Sequence, residues 1–348
     1  LQHLIRNELI FAEEIFKNKG SAAILMNINN GEILSMISLP DYDLNKREKI
    51  VNVNYINRAT KALYEMGSVF KTFTFAAGLN EGIIEVDTKF ENLEKKIKCG
   101  KNTISEYDDN IPTNLTAEEI LIRSGNIGSV RIVQKIGIEK YKLFLTKIGI
   151  LEKIEFDIEE VGQPLPISWG KCKLATSSFG HGITTTALQL LKGYAIISNG
   201  GYLISPTLVK HNNKNNFKSK KVLKNDVSKK VNKVLGKIVS SKDGTANFAN
   251  VVGYNIGGKT GTAQKTIDGK YSKKKVNTFV SIFPHESPRF ALLVLLDEPE
   301  ANSEYVYNYR DGSNFKYKGN LRNTSGWTTV EIAGKIIEKI GPILAIKY

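Results

Sequence analysis

Ser68 and Lys71 are three residues apart at the start of an apolar segment that follows Gly67. If this segment is helical, residues at this spacing share one face, so the serine hydroxyl and the lysine amine are neighbours. A hydroxyl beside a base at a helix N-terminus is what an activated nucleophile requires. The spacing alone is a weak signal, because it recurs in polar or glycine-rich surroundings at Ser168/Lys171, Ser272/Lys275 and Ser313/Lys316. Ser68 is therefore the preferred nucleophile.

A second candidate element is Ser124-Gly125-Asn126, the only Ser-x-Asn in the sequence. It lies in a predicted break between two helices. Serine and asparagine are also favoured in such breaks simply as helix caps, and glycine ends helices. In a site, the hydroxyl could relay a proton and the amide could hold a peptide.

A third element is Lys259-Thr260-Gly261-Thr262, which contains the only Lys-Thr-Gly in the chain. A glycine inside a strand often marks a place where a ligand or another backbone comes close. A bulged edge strand explains the same residues equally well. In a site, the lysine and the hydroxyls could hold a carboxylate.

The three motifs follow one another in the order that is the signature of serine β-lactamases and penicillin-binding proteins. Over essentially its whole length the chain resembles a class B penicillin-binding protein, most nearly the division-specific, septal transpeptidase. The resemblance is carried by YEMGSVFKTFT (64–74), RSGNIGSVRI (123–132), SFGHGITTTALQL (178–190) and GGKTGTAQK (257–265). Supporting stretches are GEILSMISLPDYD (31–43), FPHESPRFALLVLLDEP (283–299) and SGWTTVEIAGKII (325–337).

The sequence departs from the family pattern in three places, none of which removes a reacting group. Leu44 stands where the family often has proline, and Gly125 stands where many members have serine. Thr328-Thr329-Val330 replaces the usual Ala-Ala-Pro. The change at Gly125 could loosen the loop that aims Ser124 and Asn126.

The resemblance implies a peptidoglycan D,D-transpeptidase that is inhibited covalently by β-lactams and cross-links stem peptides in septal wall synthesis. Ser68 would attack the penultimate D-Ala carbonyl of a stem pentapeptide, with Lys71 as its base. Ser124 would pass a proton to the departing D-Ala, and Asn126 would hydrogen-bond the stem peptide. No cofactor or metal is implied.

By the same resemblance, Thr260 and Thr262, with Lys259 behind them, would bind the terminal carboxylate. Gly261 would let the substrate strand lie against this edge, as in strand addition to a sheet. The backbone N–H groups of Ser68 and Thr262 would form the oxyanion hole.

A lysine base must be neutral, although its reference pKa is about 10.4. Desolvation or a neighbouring cation must therefore lower the pKa of Lys71. Lys259 is the candidate for that cation. Which group accepts the proton of Ser68 stays open in the sequence.

Other activities remain compatible with the three motifs. A class A serine β-lactamase also carries Glu-x-x-Leu-Asn for deacylation, and this string does not occur in the chain. A D,D-carboxypeptidase, a non-catalytic β-lactam sensor and a divisome scaffold are further alternatives, and the intact motifs argue against a dead site. His181 could contact substrate or could hold the turn that contains it, and Asp108-Asp109 is expected to be a solvated turn.

The elements that must position these residues form an α+β pattern. Residues 1–19 predict a helix ended by Gly20, and apolar runs around Asn29-Asn30-Gly31 predict a hairpin. Residues 277–283 and 290–296 predict a second hairpin, and 327–345 a closing helix. Capping and stop signals, including Thr116-x-x-Glu119, predict helices between about 61 and 200. Segments 211–233 and 265–276 are expected to be solvated basic loops or helix faces, and 298–323 a long excursion.

Strands at both ends of the chain imply one antiparallel sheet. The resemblance implies the penicillin-binding and serine β-lactamase-like fold, with a five-stranded antiparallel sheet flanked by helices and an inserted helical lobe. We expect one transpeptidase domain over residues 1–348, with a sheet lobe at about 1–60 and 241–348 and a helical lobe at about 61–240.

Composition adds few constraints. The net charge is +14, yet lysines are spread along the chain and no basic motif interleaved with aromatic residues suggests nucleic acid. Cys99 and Cys172 form no metal or redox pattern, and the sequence leaves their pairing open. No apolar run suggests a membrane span.

The chain begins at Leu1 rather than Met, so we expect it to be part of a longer protein. The resemblance implies an N-terminal membrane anchor and pedestal outside this chain, on the periplasmic face of the cytoplasmic membrane. It also implies divisome and glycan-polymerising partners that bind through those regions.

Overall fold

The computed structural model describes residues 1–43, 45, 55–100, 102–210, 220–267 and 269–347, so Leu44 and part of the basic stretch 211–233 lie outside the described residues. The helices are α1 (Gln2–Phe16), α2 (Lys71–Asn80), α3 (Ala117–Ile122), α4 (Asn126–Ile136), α5 (Ile138–Lys147), α6 (Lys171–Ser177), α7 (Ala187–Ser198), α8 (Asn225–Ser240) and α9 (Thr329–Lys347). Short 3-10 helices cover Gly67–Phe70, Asn247–Ala249 and Ser325–Trp327. The strands are β1 (Gly20–Asn27), β2 (Ile33–Leu39), β3 (Lys89–Phe90), β4 (Lys96–Cys99), β5 (Asn102–Ser105), β6 (Leu115–Thr116), β7 (Gly257–Ile267), β8 (Lys270–Phe283), β9 (Phe290–Asp297), β10 (Val306–Asn308) and β11 (Lys316–Lys318).

Strands from both ends of the chain form one five-stranded antiparallel sheet in the order β2-β1-β9-β8-β7. The pairings of β1 with β2 and of β8 with β9 confirm both predicted hairpins. β7 is an edge strand, and the Lys-Thr-Gly motif lies at its beginning. The predicted α+β class and sheet are therefore confirmed.

The central strands are covered on both faces. Every residue of β9 is buried, as is almost all of β1. Their continuous apolar sequences are typical of strands without a solvent face. Helices α1 and α9 pack together on one face, and α7 and α8 pack together on the other. The sheet is thus the middle of three layers.

Helices α2 to α8 lie between β2 and β7 in the chain, as the pattern of caps predicts. The hydroxyl of Thr116 accepts from the N–H of Glu119, whose carboxylate accepts from the N–H of Thr116, which confirms the predicted capping box. Helix α4 ends before Gly137, and α7 ends before Asn199-Gly200-Gly201. Helix α2 is buried from Lys71 to Leu79, so its first residue is held inside the protein.

Two predictions about the elements were wrong. Helix α1 ends at Phe16, its C-cap residue Lys17 adopts the left-handed conformation with φ 51°, and Gly20 is the first residue of β1. The segment 265–276 contains the ends of β7 and β8 rather than a loop or helix face. Its side chains are mostly exposed, so backbone pairing, such as that of Thr266 with Tyr271, forms the strands without an apolar pattern.

Cys99 and Cys172 form a disulfide with a Cα–Cα distance of 5.4 Å. Cys99 ends β4, and Cys172 lies in the first turn of α6. The bridge therefore ties the β4–β5 hairpin to the helices around α4.

Candidate active site

Ser68 lies in the 3-10 turn Gly67–Phe70, which runs directly into α2. Gly67 has φ +61°, and a Cβ there would lie 2.6 Å from the carbonyl oxygen of Thr262. The turn thus touches the backbone of β7 in a conformation that favours glycine. Ser68 is half-buried and opens onto a cleft of about 920 Å³.

Gly261 faces the same turn from β7. A Cβ at Gly261 would lie 2.3 Å from the carbonyl oxygen of Met66 and 3.0 Å from Val69. The sequence associated this glycine with a passing substrate strand. In the structure, its missing side chain leaves room for the turn that carries Ser68.

Lys71 begins α2 with only 1% of its surface exposed. Its Nζ donates to the carbonyl oxygen of Ser124 at 2.5 Å and lies 3.2 Å from the Ser124 hydroxyl. In the described part of the chain, the side-chain hydrogen bonds of Lys71 go to Ser124 and not to Ser68, which the sequence places beside it.

Ser124 is placed between the two lysines. It lies in the loop between α3 and α4 with φ 58°, in the left-handed region. The Nζ of Lys259, which is completely buried in β7, donates to the Ser124 hydroxyl at 2.9 Å and to the Thr260 carbonyl at 3.0 Å. One hydroxyl from the second motif therefore joins the amines of the first and third.

The pKa values of both lysine amines are strongly lowered. Burial lowers the pKa of Lys71 from 10.5 to about 7, and the Glu106 carboxylate opposes this shift. Burial also lowers the pKa of Lys259 well below its ordinary value, and the charge of Lys71 lowers it further. Of the two causes expected from sequence for Lys71, desolvation and a neighbouring cation, desolvation is the one that lowers its pKa, and Lys259 does not contribute. Two ammonium groups on one hydroxyl repel each other, which favours loss of a proton from the pair.

Both threonine hydroxyls of the third motif are held at the cleft. The Thr260 hydroxyl hydrogen-bonds the Thr245 hydroxyl at 2.8 Å. The Thr262 hydroxyl accepts from the backbone N–H of Ser325 at 3.0 Å. Sequence patterns did not select Thr245 or Ser325 as site residues, because distant segments bring them to β7.

The family model described as penicillin binding protein transpeptidase domain matches residues 21–313. This chain belongs to that family.

Named relatives match most or all of the chain. It is 32% identical over its full length to a probable peptidoglycan D,D-transpeptidase FtsI of Caulobacter vibrioides, of which it spans 58%. It is 30% identical over 88% of its length to a probable peptidoglycan D,D-transpeptidase PenA of Neisseria flavescens, of which it spans 76%. The transpeptidase domain of penicillin-binding protein 3 from Burkholderia pseudomallei superposes with a TM-score of 0.83, at 24% identity and with coverage of 99% of this chain and 94% of that one. This last likeness shows the fold.

In this transpeptidase domain, Asn126 begins α4 and its side chain donates to the Ser105 carbonyl at 2.8 Å. The carboxylate of Glu106 accepts from the backbone N–H groups of Asn126, at 2.6 Å, and of Ile127, at 2.9 Å. Sequence reasoning missed Glu106, because a residue twenty positions away caps the helix through the fold.

His181 lines the same cleft as Ser68. Burial lowers the pKa of His181, and its ring makes edge contacts with Phe179 and Tyr271. Its backbone N–H donates to the Thr176 carbonyl, so it also belongs to a turn. Both interpretations from sequence therefore keep support.

The other polar residues considered from sequence divide into those that line the cleft and those that do not. Asp108 and Asp109 line the cleft, where Asp108 accepts from the N–H of Asn110 in a tight turn. The serines of the other Ser-x-x-Lys pairs, Ser168, Ser272 and Ser313, are outside the cleft lining in the described part of the chain. The described residues contain no cluster of metal-ligating side chains and no helix long and apolar enough to cross a membrane.

Proposed function

We propose that this domain is a peptidoglycan D,D-transpeptidase that cross-links stem peptides through an acyl-enzyme at Ser68. The observation that carries the proposal is the convergence of the Lys71 and Lys259 amines on the Ser124 hydroxyl. A buried lysine with a pKa of about 7 is a base that is neutral in part of the molecules at neutral pH. The names of the relatives support the substrate class and the septal role.

In the first step the Oγ of Ser68 forms a bond to the penultimate D-Ala carbonyl, and its proton passes to Lys71. The Ser124 hydroxyl lies on the path between the amine and the substrate, so it delivers a proton to the nitrogen of the departing D-Ala. The bond from that nitrogen to the carbonyl carbon breaks and an ester remains on Ser68. Asn126 holds the stem peptide beside it.

The terminal carboxylate is bound by the hydroxyls of Thr260 and Thr262 at the edge strand. An arriving carboxylate raises the pKa of Lys259, which becomes an ammonium and completes the anion site. The backbone N–H groups of Ser68 and Thr262 stabilise the oxyanion. Gly261 keeps these two segments in contact.

In the second step, an amine of a neighbouring stem attacks the ester carbonyl, an amide forms and Ser68 is regenerated. The reaction needs no cofactor. We propose that glycan polymerisation falls to a partner that binds, with divisome proteins, through regions outside this chain, and that the domain works on the periplasmic side of the cytoplasmic membrane. The disulfide supports an oxidising compartment.

We also propose the two lobes expected from sequence, a sheet lobe at about 1–60 and 241–348 and a helical lobe at about 61–240. The site is divided between them, since Ser68, Lys71 and Ser124 come from the helical lobe and Lys259 comes from the sheet. The cleft lies where the two meet.

Fluorescent penicillin labelling followed by denaturing electrophoresis tests the nucleophile. Ser68→Ala is expected to abolish the labelled band while circular dichroism stays native, because one half-buried hydroxyl is removed. Ser272→Ala is the matched control, since this serine also precedes a lysine by three positions, and it should label normally. A labelled Ser68→Ala protein would refute the assignment.

The lifetime of the adduct separates a transpeptidase from a β-lactamase. General-base assistance to water accelerates deacylation by roughly 10²- to 10⁴-fold. The sequence lacks the motif that supplies this base in class A enzymes, so intact-protein mass spectrometry should show a one-to-one penicillin adduct that persists after free drug is removed. Rapid loss of the adduct with hydrolysis of excess drug would favour the β-lactamase. A second assay distinguishes a transpeptidase from a carboxypeptidase. The domain is incubated with a stem pentapeptide and a second stem peptide that supplies the acceptor amine. A transpeptidase forms a cross-linked dimer, whereas a carboxypeptidase releases D-Ala without a dimer.

A further inference from the structure

Glu106 acts as a cap for a helix to which it does not belong. It follows β5, and its two carboxylate oxygens accept from the N–H groups of Asn126 and Ile127, the first two residues of α4. The N-cap residue of α4 is Gly125, which has no side chain to provide a cap. The first N–H groups of a helix lack partners within the helix, and an anion there is stabilised by the helix dipole. The carboxylate therefore fixes the start of α4.

The start of α4 is also the second motif of the site. Ser124 is held in the left-handed region, and Gly125 leaves the loop without a side-chain anchor of its own. Besides the hydrogen bonds that the two lysines make to Ser124, this loop is anchored by the end of β5, where the Ser105 carbonyl accepts from the Asn126 side chain and Glu106 accepts from the backbone. Movement of this end would move the hydroxyl that both lysines share.

Glu106 also places a negative charge near the candidate base. Three charged or titratable groups are coupled electrostatically to Lys71: Glu106 at the end of β5 raises its pKa, and the charge of Lys71 in turn lowers the pKa of Lys259 in β7 and of His181 in the turn after α6. Of these three, Glu106 is the anion. Its charge favours the ammonium form of Lys71, opposite to the effect of burial.

We propose that Glu106 is a positioning residue that fixes the Ser124–Asn126 loop against the two lysines and sets the electric field at Lys71. The proposal rests on the proposed function for its kinetic consequences and on the hydrogen bonds of α4 for its structural part. Glu106 does not itself take part in the transfer.

The test compares Glu106→Gln and Glu106→Ala with Glu94→Gln. The control also removes a carboxylate that contacts α4, since Glu94 pairs with Arg131 in the middle of that helix. Second-order acylation rates are measured with fluorescent penicillin between pH 5 and 9, as a pH range of roughly this width brackets the acid limb of a base with a pKa near 7.

Removing the anion lowers the pKa of Lys71, so the acid limb of Glu106→Gln should move to lower pH. The plateau should fall roughly 10-fold in Glu106→Gln, which keeps one acceptor oxygen, and roughly 100-fold in Glu106→Ala, as expected for hydrogen bonds to a charged group. Glu94→Gln should match the wild type in the midpoint of the acid limb and in the plateau rate. A purely structural cap would lower the plateau without moving the midpoint. An unchanged midpoint in Glu106→Gln therefore overturns the electrostatic part of the proposal.

Hydrogen exchange tests the positioning part without penicillin. In Glu106→Ala, the peptide that covers residues 123–132 should exchange faster than in Glu94→Gln, because the N–H groups of Asn126 and Ile127 lose their acceptor. Unchanged exchange overturns the proposal. If the wild-type chain itself is not acylated, the proposed function fails, whereas the exchange experiment still decides whether Glu106 holds the loop.

Discussion

Gly261→Ala tests whether the contact between β7 and the Ser68 turn sets the geometry of the site. The added methyl group would lie 2.3 Å from the carbonyl oxygen of Met66, about 0.7 Å short of the 3.0 Å that real Cβ atoms keep. Neither neighbour is a flexible chain end, since one is backbone and the other is the branched side chain of Val69. The strand and the turn must therefore separate by about this amount.

A separation of this size exceeds the tolerance of about 0.5 Å within which a catalytic constellation must be held. Misplacement of reacting groups by about 1 Å costs roughly a factor of 10² in rate. We therefore expect acylation by penicillin to slow by about 100-fold, equivalent to about 2.7 kcal/mol of activation free energy. The buried sheet should keep the fold.

Stopped-flow acylation with a fluorescent penicillin measures the rate, and circular dichroism follows thermal unfolding. Gly170→Ala is the matched control, because its Cβ would have no heavy atom within 4 Å and its backbone is extended with φ −175°. It should react within about twofold of the wild type, as surface changes without contacts have small effects. A cooperatively folded Gly261→Ala protein that acylates at the wild-type rate would refute the reasoning.

Three further predictions concern the lysines and the disulfide. The acylation rate of the wild type should fall on the acid side of pH 7 with a midpoint near the pKa of Lys71, which burial lowers to about 7, because only the neutral amine accepts a proton. A midpoint near 10 would show that the pKa of the base is not lowered. Lys259→Ala should lower the plateau of that profile by removing the carboxylate anchor. It should leave the midpoint in place, since burial rather than the charge of Lys259 lowers the pKa of Lys71, and a midpoint at higher pH would show that the charge of Lys259 sets the pKa of the base. Replacing Cys99 and Cys172 together by serine should lower the free energy of unfolding, measured in urea, by about 4 kcal/mol, because the disulfide closes a loop of 73 residues. Urea unfolding curves with the same midpoint and slope for the wild type and the variant would contradict this.

The sheet could be predicted because its strands carry their signals locally. The Asn29-Asn30-Gly31 turn between apolar runs, and the apolar strands β8 and β9, determine their hairpins without distant information. The extension of β7 and β8 through 265–276 could not be predicted, because the segment is rich in lysine and mostly exposed and has no apolar face. Cross-strand backbone pairing stabilises that extension, and such pairing leaves no pattern in one segment.

In the site, too, features carried by local motifs could be predicted, and features that depend on distant segments could not. Ser68, Lys71, Ser124 and Lys259 could be selected because their motifs are short and occur in a characteristic order. The sequence could not decide whether desolvation or a neighbouring cation lowers the pKa of Lys71, because desolvation depends on everything packed around α2. Glu106 was missed for a similar reason, since only the folded hairpin brings it to α4.

The disulfide between Cys99 and Cys172 has a consequence for where and when the chain becomes competent. Thiols remain reduced in the cytosol of most bacteria and pair after export. The tie that holds the β4–β5 hairpin, and with it Glu106 and the Ser124 loop, is therefore absent while the chain is being synthesised. If the domain works on the periplasmic side, as proposed, a newly made molecule lacks this restraint on the end of β5 and the Ser124 loop until it reaches that oxidising compartment.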